Sequence, residues 1–216
     1  MDQKESGGRR GRPRSFDEQE VLQQVQEAFW KGGFEGTSIE DLTSATGLNR
    51  PSLYGAFGDK HALYIQTLRQ YREATLARGR KILDEAPTLR TGLEDVYRAA
   101  IRIYSGHEEG RGCFVSSTAP PEALHDAAVR RELAATNDGL DAMFEARIAR
   151  AQADGEACTD LPPSEAARIA TAVLHSLSVR ARAGASRRAL HALAQSAVNL
   201  IAWTPGEGAA DAAEDA

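Results

Sequence analysis

The stretch from Gly33 to Leu63, GFEGTSIEDLTSATGLNRPSLYGAFGDKHAL, constrains the fold more than any other part of the chain. Its spacing predicts two short helices joined by a tight turn, then a third helix entered through Gly58-Asp59. Thr37 and Glu40 read as a T-x-x-E capping box, in which hydroxyl and carboxylate satisfy the unpaired backbone N–H groups of a helix start. Ile39, Leu42 and Ala45 follow at helical intervals. Gly47 supplies a permissive turn, and Leu48 plugs the interior before Asn49-Arg50-Pro51-Ser52 opens the second helix. Pro51 suits the first turn of a helix, where its missing N–H costs nothing.

The second helix, roughly Arg50 to Phe57, divides its faces. Leu53 and Phe57 lie four apart and pack inward, which leaves Arg50, Ser52, Tyr54 and Gly55 outward. Such a polar, short-chained surface suits a DNA major groove, where arginine pairs two-pronged with guanine and serine or asparagine reaches base edges or phosphates. Asp59 reads as the N-cap of the next helix, with Lys60 in its first turn. A cation beside the positive end of a helix dipole is unfavourable, so an external anion such as a DNA phosphate accounts for it.

These residues together resemble the N-terminal DNA-binding domain of TetR-type transcriptional regulators. That family's pattern is T-x-x-x-x-[IL]-A-x-x-[AT]-G-[VL], then a recognition helix ending in [LIF]-Y-x-x-F, then a Lys in the following helix. Thr37, Asp41-Leu42, Thr46-Gly47-Leu48, Ser52-Leu53-Tyr54, Phe57 and Lys60 match it, and the resemblance covers about residues 15–75. Thr43 stands where a small residue is usual, and Ala56 where His or Tyr is usual, which removes one phosphate or base contact. The resemblance implies an all-α chain: an N-terminal three-helix helix-turn-helix domain plus a larger helical ligand-binding and dimerisation domain. It also implies a homodimer on double-stranded DNA with a palindromic operator, released by a small-molecule effector. In that frame Arg50, Ser52, Asn49 and Gly55, in the helix opened by Pro51, face bases. Thr37, Ser38, Tyr54, Lys60 and an arm carrying Arg12 and Arg14 hold phosphates.

A net charge of −5 argues against nucleic acid only until its distribution is read. Residues 1–80 carry 12 Lys+Arg against 11 Asp+Glu, and the remainder 14 against 20, so the acidic excess lies wholly in the second part. Residues 1–14 hold five basic and two acidic groups, a disordered basic arm able to follow phosphates or enter a minor groove. Residues 15–60 form the expected DNA-binding domain, 61–203 the helical ligand and dimer domain, and 204–216 a disordered acidic tail. No apolar run approaches the roughly 20 residues of a membrane span, and two cysteines imply no disulfide framework, so the expected location is the cytoplasm.

Ser15-Phe16-Asp17-Glu18 reads as another capping box, opening a helix that ends at Gly32-Gly33. A helix from Asp59 to about Leu83 is long enough to leave the first domain and act as a lever. Further helices are expected from Leu89 to Tyr104, from near Glu122 to about Asp154 with a weak point at Asn137-Asp138-Gly139, from Pro163 to Gly184, and from Ser186 to about Trp203. Cys113-Phe114-Val115 reads as a short helix or turn broken by Ala119-Pro120-Pro121. The last two helices form a hairpin whose stripes, including Val173, Leu177, Leu190, Leu193, Ala197 and Ile201, are expected at a dimer interface. The alternative places both stripes in a single-chain core.

No catalytic arrangement is present: the sequence lacks G-x-S-x-G, H-E-x-x-H and any phosphate loop, and the five His have no ligand spacing. Neither cofactor nor metal is expected, nor an enzyme; a helical scaffold or enzyme using the helix-turn-helix only for packing is the rival class. Tyr64, Tyr71, Tyr97, Tyr104, Cys113, Phe114, Phe144 and His175 are candidates to line an effector pocket. Cys113, after Arg111-Gly112, is either a small buried hydrophobe or a thiol activated by a nearby cation. Some TetR-type regulators with a Gly-Cys-apolar step sense electrophiles or oxidants there, which gives the alternative of a thiol sensor acting through Cys113.

Overall fold

The computed structural model describes residues 16–106, 110–157 and 161–203, and the regular structure among them is entirely helical. The arm with Arg12 and Arg14, the segment 204–216, Ser15, His107 and Cys158 lie outside the described residues. The helices are α1 (Glu18–Gly32), α2 (Ile39–Thr46), α3 (Arg50–Phe57), α4 (Lys60–Glu85), α5 (Leu89–Tyr104), α6 (Phe114–Ala123), α7 (Ala127–Ala153), α8 (Pro163–Arg182) and α9 (Arg187–Ile201).

Most starts are fixed by side-chain caps that satisfy first-turn N–H groups. Asp17 accepts from the N–H groups of Gln19 and Glu20, so it, not Ser15, caps α1. Asn49 caps α3, Asp59 caps α4 and Thr88 caps α5. The cap of α2 is Ser38, whose hydroxyl accepts from Asp41 N–H while the Asp41 carboxylate accepts from Ser38 N–H, a capping box one residue later than Thr37 and Glu40. Thr37 is instead buried, donating its hydroxyl to the Gly33 carbonyl at 2.7 Å. Gly47 ends α2 at φ 65°, a left-handed backbone that glycine adopts without a Cβ penalty.

Two cores follow from the apolar stripes. One gathers Val21, Val25, Phe29 and Trp30 of α1, Leu42, Leu53 and Phe57, and the first turns of α4 with Phe114, Val115, Ala119 and Ala123 of α6. The interior of the helix-turn-helix therefore runs past residue 60 into α6. The other core joins the rest of α4 to α5, α7, α8 and α9.

Helix α6 continues through Pro120 and Pro121 instead of breaking before them. Both prolines lie in its second half, where the fixed φ is helical and only late backbone bonds are lost, while buried Thr118, Ala119 and Ala123 anchor it. Helix α7 starts at Ala127, five residues later than expected, because Asp126 supplies its cap, and it is continuous at Gly139. There the missing side chain admits Leu76 of α4, whose Cδ1 lies 2.6 Å from where a Cβ would stand. Met143 fills the equivalent gap at Gly79, Glu132 pairs with Arg69 and Arg72, and Arg150 lies 3.7 Å from Asp84. These contacts advance together along both helices, so α4 and α7 run parallel and are joined over most of α4.

The hairpin link spans residues 183–186, longer than the sequence suggests. Leu177, Leu190, Ala197 and Ile201, expected at a dimer interface, are buried within the chain's own core. Val173 and Leu193 are half-buried, and the exposed apolar residues of this hairpin and its end are Val179 (64%), Leu200 (55%) and Trp203 (47%).

Candidate nucleic-acid interface and effector cavity

Helix α3 owes its orientation to two buried anchors, Leu53 and Phe57, which turn the rest of its surface outward. Arg50, Pro51, Ser52 and Gly55 are exposed. Asn49 is partly committed, its Oδ1 accepting from Ser52 N–H at 2.9 Å, while its amide NH2 stays free to donate. The Arg50 guanidinium stands 5.3 Å from the centroid of the Tyr54 ring one turn later, which holds its long side chain along the helix without using its hydrogen-bond donors. Lys60, at the start of α4, lies 4.5 Å over the Phe34 ring, fixing a cation beside the backbone N–H groups of that helix end.

Of the expected phosphate contacts, Thr37 is withdrawn by its burial. Ser38 is exposed, but its hydroxyl also donates to Asp41 at 2.8 Å, and that bond with the Ser38 N–H holds the Asp41 carboxyl below its ordinary range. Both α2 cap groups are thus engaged with each other. His61, on the same first turn as Lys60, pairs with Asp126 at 2.5 Å and ties the start of α4 to the start of α7.

The expected pocket residues separate into four places. Tyr64 and Phe114 belong to the helix-turn-helix core, with the Tyr64 hydroxyl donating to Thr118 at 2.8 Å. Tyr97 and Phe144 are packed together in the body core, ring centroids 6.3 Å apart, and the Tyr97 hydroxyl is taken by the Ala170 carbonyl. His175 lies on the α7–α8 seam, where burial lowers its pKa and Asp141 partly offsets the shift. Tyr71 and Tyr104 do line a cavity, of about 50 Å³, with Thr75, Gly79, Met143 and Leu174. Cys113 neighbours both phenols, and burial, reinforced by that thiol, pushes both well above their ordinary range.

Sequence reasoning singled out Cys113 after Arg111-Gly112 but missed how that segment is tied to its neighbours. Arg111 N–H and Gly112 N–H donate to the Tyr104 carbonyl, and Cys113 N–H donates to Ser178 Oγ of α8 at 2.7 Å. On its other side Arg111 stacks 3.7 Å over the Trp30 ring of α1 and pairs with Glu27 at 2.8 Å, while Trp30 Nε1–H donates to the Arg111 carbonyl. Residues 110–113 thus form a strap touching α8 with one edge and α1 with the other. The signal in the sequence was Gly110-Arg111-Gly112, two positive-φ glycines around a cation.

Residues 24–67 match the family described as bacterial regulatory proteins, tetR family, and residues 90–197 match the tetracyclin repressor-like C-terminal domain. The HTH-type transcriptional repressor BdcR of Escherichia coli (strain K12) is 30% identical, the alignment covering 88% of this chain and 92% of that protein. The repressor ComR of the same organism is 26% identical over 88% and 91%. A cysteine-substituted form of the TetR family transcriptional regulator CifR, complexed with 26-base-pair double-strand operator DNA, is 35% identical with a TM-score of 0.77, covering 89% of this chain and 100% of that one.

Proposed function

The chain belongs to the TetR family of bacterial regulatory proteins, which are transcriptional regulators and not enzymes, and from that premise we propose that it is a repressor docking as a homodimer on a palindromic operator and released by a small molecule. The observation that carries the reading is the outer face of α3, where exposed Arg50 is steadied on Tyr54 and Lys60 sits at the adjoining helix start. Arg50 and Ser52 meet bases, and Lys60 and Tyr54 meet phosphates. Val179, Leu200 and Trp203, with half-buried Val173 and Leu193, give the α8–α9 hairpin an apolar surface for a second copy. In that frame the body spanning 61–203 carries the effector and dimer functions.

Arg50→Ala is expected to cost about 1–3 kcal/mol of operator affinity and to relax preference at one base position. Lys60→Ala is expected to weaken operator and random duplex alike and to flatten the salt dependence by about one unit. Binding titrations at several salt concentrations measure both. Equal loss on operator and random DNA for Arg50→Ala would remove its base-reading role.

The cavity beside Tyr71 and Tyr104 is far smaller than the roughly 300–1,000 Å³ of ordinary ligand sites. An effector of that size that enters this cavity therefore binds a conformation in which it has widened, and it releases DNA by preferring that conformation. The free thiol of half-buried Cys113, beside the two buried phenols, favours a second reading for the same place, in which it is itself the sensor. With Cys158→Ser as background, N-ethylmaleimide should release the operator and Cys113→Ser should abolish that release; release that persists without the thiol eliminates the sensor.

A further inference from the structure

Five glycines lie within the bounds of helices: Gly32, Gly55, Gly79, Gly92 and Gly139. Glycine is a poor choice in a helix, because the folded backbone gives up more freedom than alanine does and gains no contact. At four of the five, a neighbour stands where a side chain would. Thr37 Oγ1 is 2.8 Å from the Cβ position of Gly32, Met143 occupies that of Gly79, Leu83 and Ala86 approach Gly92 to 3.2 Å, and Leu76 fills the place at Gly139.

Gly55 is the exception. It is exposed in the middle of α3, its φ is not positive, and among the described residues nothing beyond its chain neighbours and the backbone of its own helix lies within 4 Å of where its Cβ would be. Neither fold nor turn geometry requires glycine there. Gly55 follows the exposed Pro51 by four residues and Ser52 by three, so these three make a low strip along the helix. Beside it, Arg50 and Tyr54 form a tall stacked ridge. A low strip beside a long reading side chain is the profile of a helix lying close against a groove floor.

We infer that Gly55 sets the depth at which α3 seats in the major groove: the space left by its missing side chain is taken by a base edge, in van der Waals contact with the helix backbone. The inference rests on the DNA-reading role proposed above for α3 and makes Gly55 a specificity-determining residue within it. A methyl group at this position lifts the helix from the bases and withdraws Arg50 and Ser52 from the edges they reach. The loss falls on recognised sequence and spares phosphate-dominated binding.

The test uses the full-length chain and the duplex that the wild-type protein enriches from a randomised pool. Affinity for that duplex and for a scrambled one, and the melting temperature, are measured for wild type, Gly55→Ala, Gly55→Leu and Arg50→Ala. Gly55→Ala should melt about 2–4 °C higher, from better helix propensity. It should bind the enriched duplex about tenfold or more weakly, with Gly55→Leu weaker still and the scrambled duplex unaffected. A Gly55→Ala protein that binds the enriched duplex as tightly as wild type overturns the inference; if Arg50→Ala then still loses sequence preference, the DNA-reading role of α3 stands without it. A pool that yields no enriched sequence, or an Arg50→Ala protein with unchanged preference, overturns that role and the inference together.

Discussion

Phe114→Ala is expected to cost about 3–5 kcal/mol of stability, measured as a lower urea midpoint at unchanged slope. The ring is fully buried, with centroids 5.6 Å from Trp30 of α1, 5.6 Å from Tyr71 and 6.2 Å from Tyr64, both of α4. Three rings from two other helices close on it, so truncation leaves a cavity that none can fill without moving α1 or α4. Phe144→Ala provides the control, since that ring is equally buried but packs against Tyr97 in the body core. Both substitutions should lower the midpoint by similar amounts. Only Phe114→Ala should weaken operator binding under conditions where the chain is fully folded, because only Phe114 braces the helix behind α3. Equal effects of the two on binding would show that α6 does not position the DNA-binding helices.

Glu132→Ala, on α7, should be the most damaging change of a charged residue facing the lever helix α4, at about 2–3 kcal/mol. Its carboxylate is nearly buried and receives Arg69 at 2.8 Å and Arg72 from the adjacent turn. Removing it leaves the Arg72 guanidinium, itself only 17% exposed, without its buried partner. Arg69 is half exposed and rehydrates, which holds the cost below that of a fully buried pair. Arg69→Ala should therefore lose under about 1 kcal/mol. Chemical denaturation of the two variants distinguishes these values, and similar losses would show that Arg69 carries the interaction.

The helices were legible where a local signal stood alone. Asp59, and the run from Leu89 to Tyr104, lie where spacing predicts, because each cap or stripe has one possible register. The start of α2 was ambiguous by one residue: Thr37 with Glu40 and Ser38 with Asp41 satisfy the same pattern. Only the Ala28 and Gly33 carbonyls at the end of α1, which receive the Thr37 hydroxyl, decide between them. Gly139 reads as a weak point because the side chain that fills its place, Leu76, lies 63 residues away, as the difference of the two positions shows. The α8–α9 stripes are apolar on more than one side, and periodicity alone does not say which side meets the body core. The candidate pocket residues are divided between two cores for the same reason: an aromatic at helical spacing carries no sign of which core receives it.

The strap at residues 110–113 limits what evolution can write there. At Gly112 an added methyl would sit 2.8–3.0 Å from Ser117 Oγ, Ser178 Oγ and the Ser178 carbonyl, and at Gly110 it would collide with the Ala181 carbonyl. Exchanging one hydrogen for a carbon at residue 112 therefore drives a wedge between α6 and α8, loosening the amide-to-hydroxyl tie that anchors the thiol-bearing residue. Arg111, between them, is held from the other side, over the Trp30 ring and against Glu27 of α1. Natural variation in this tripeptide should consequently be narrow throughout, the flanks fixed by α6 and α8 and the centre by α1.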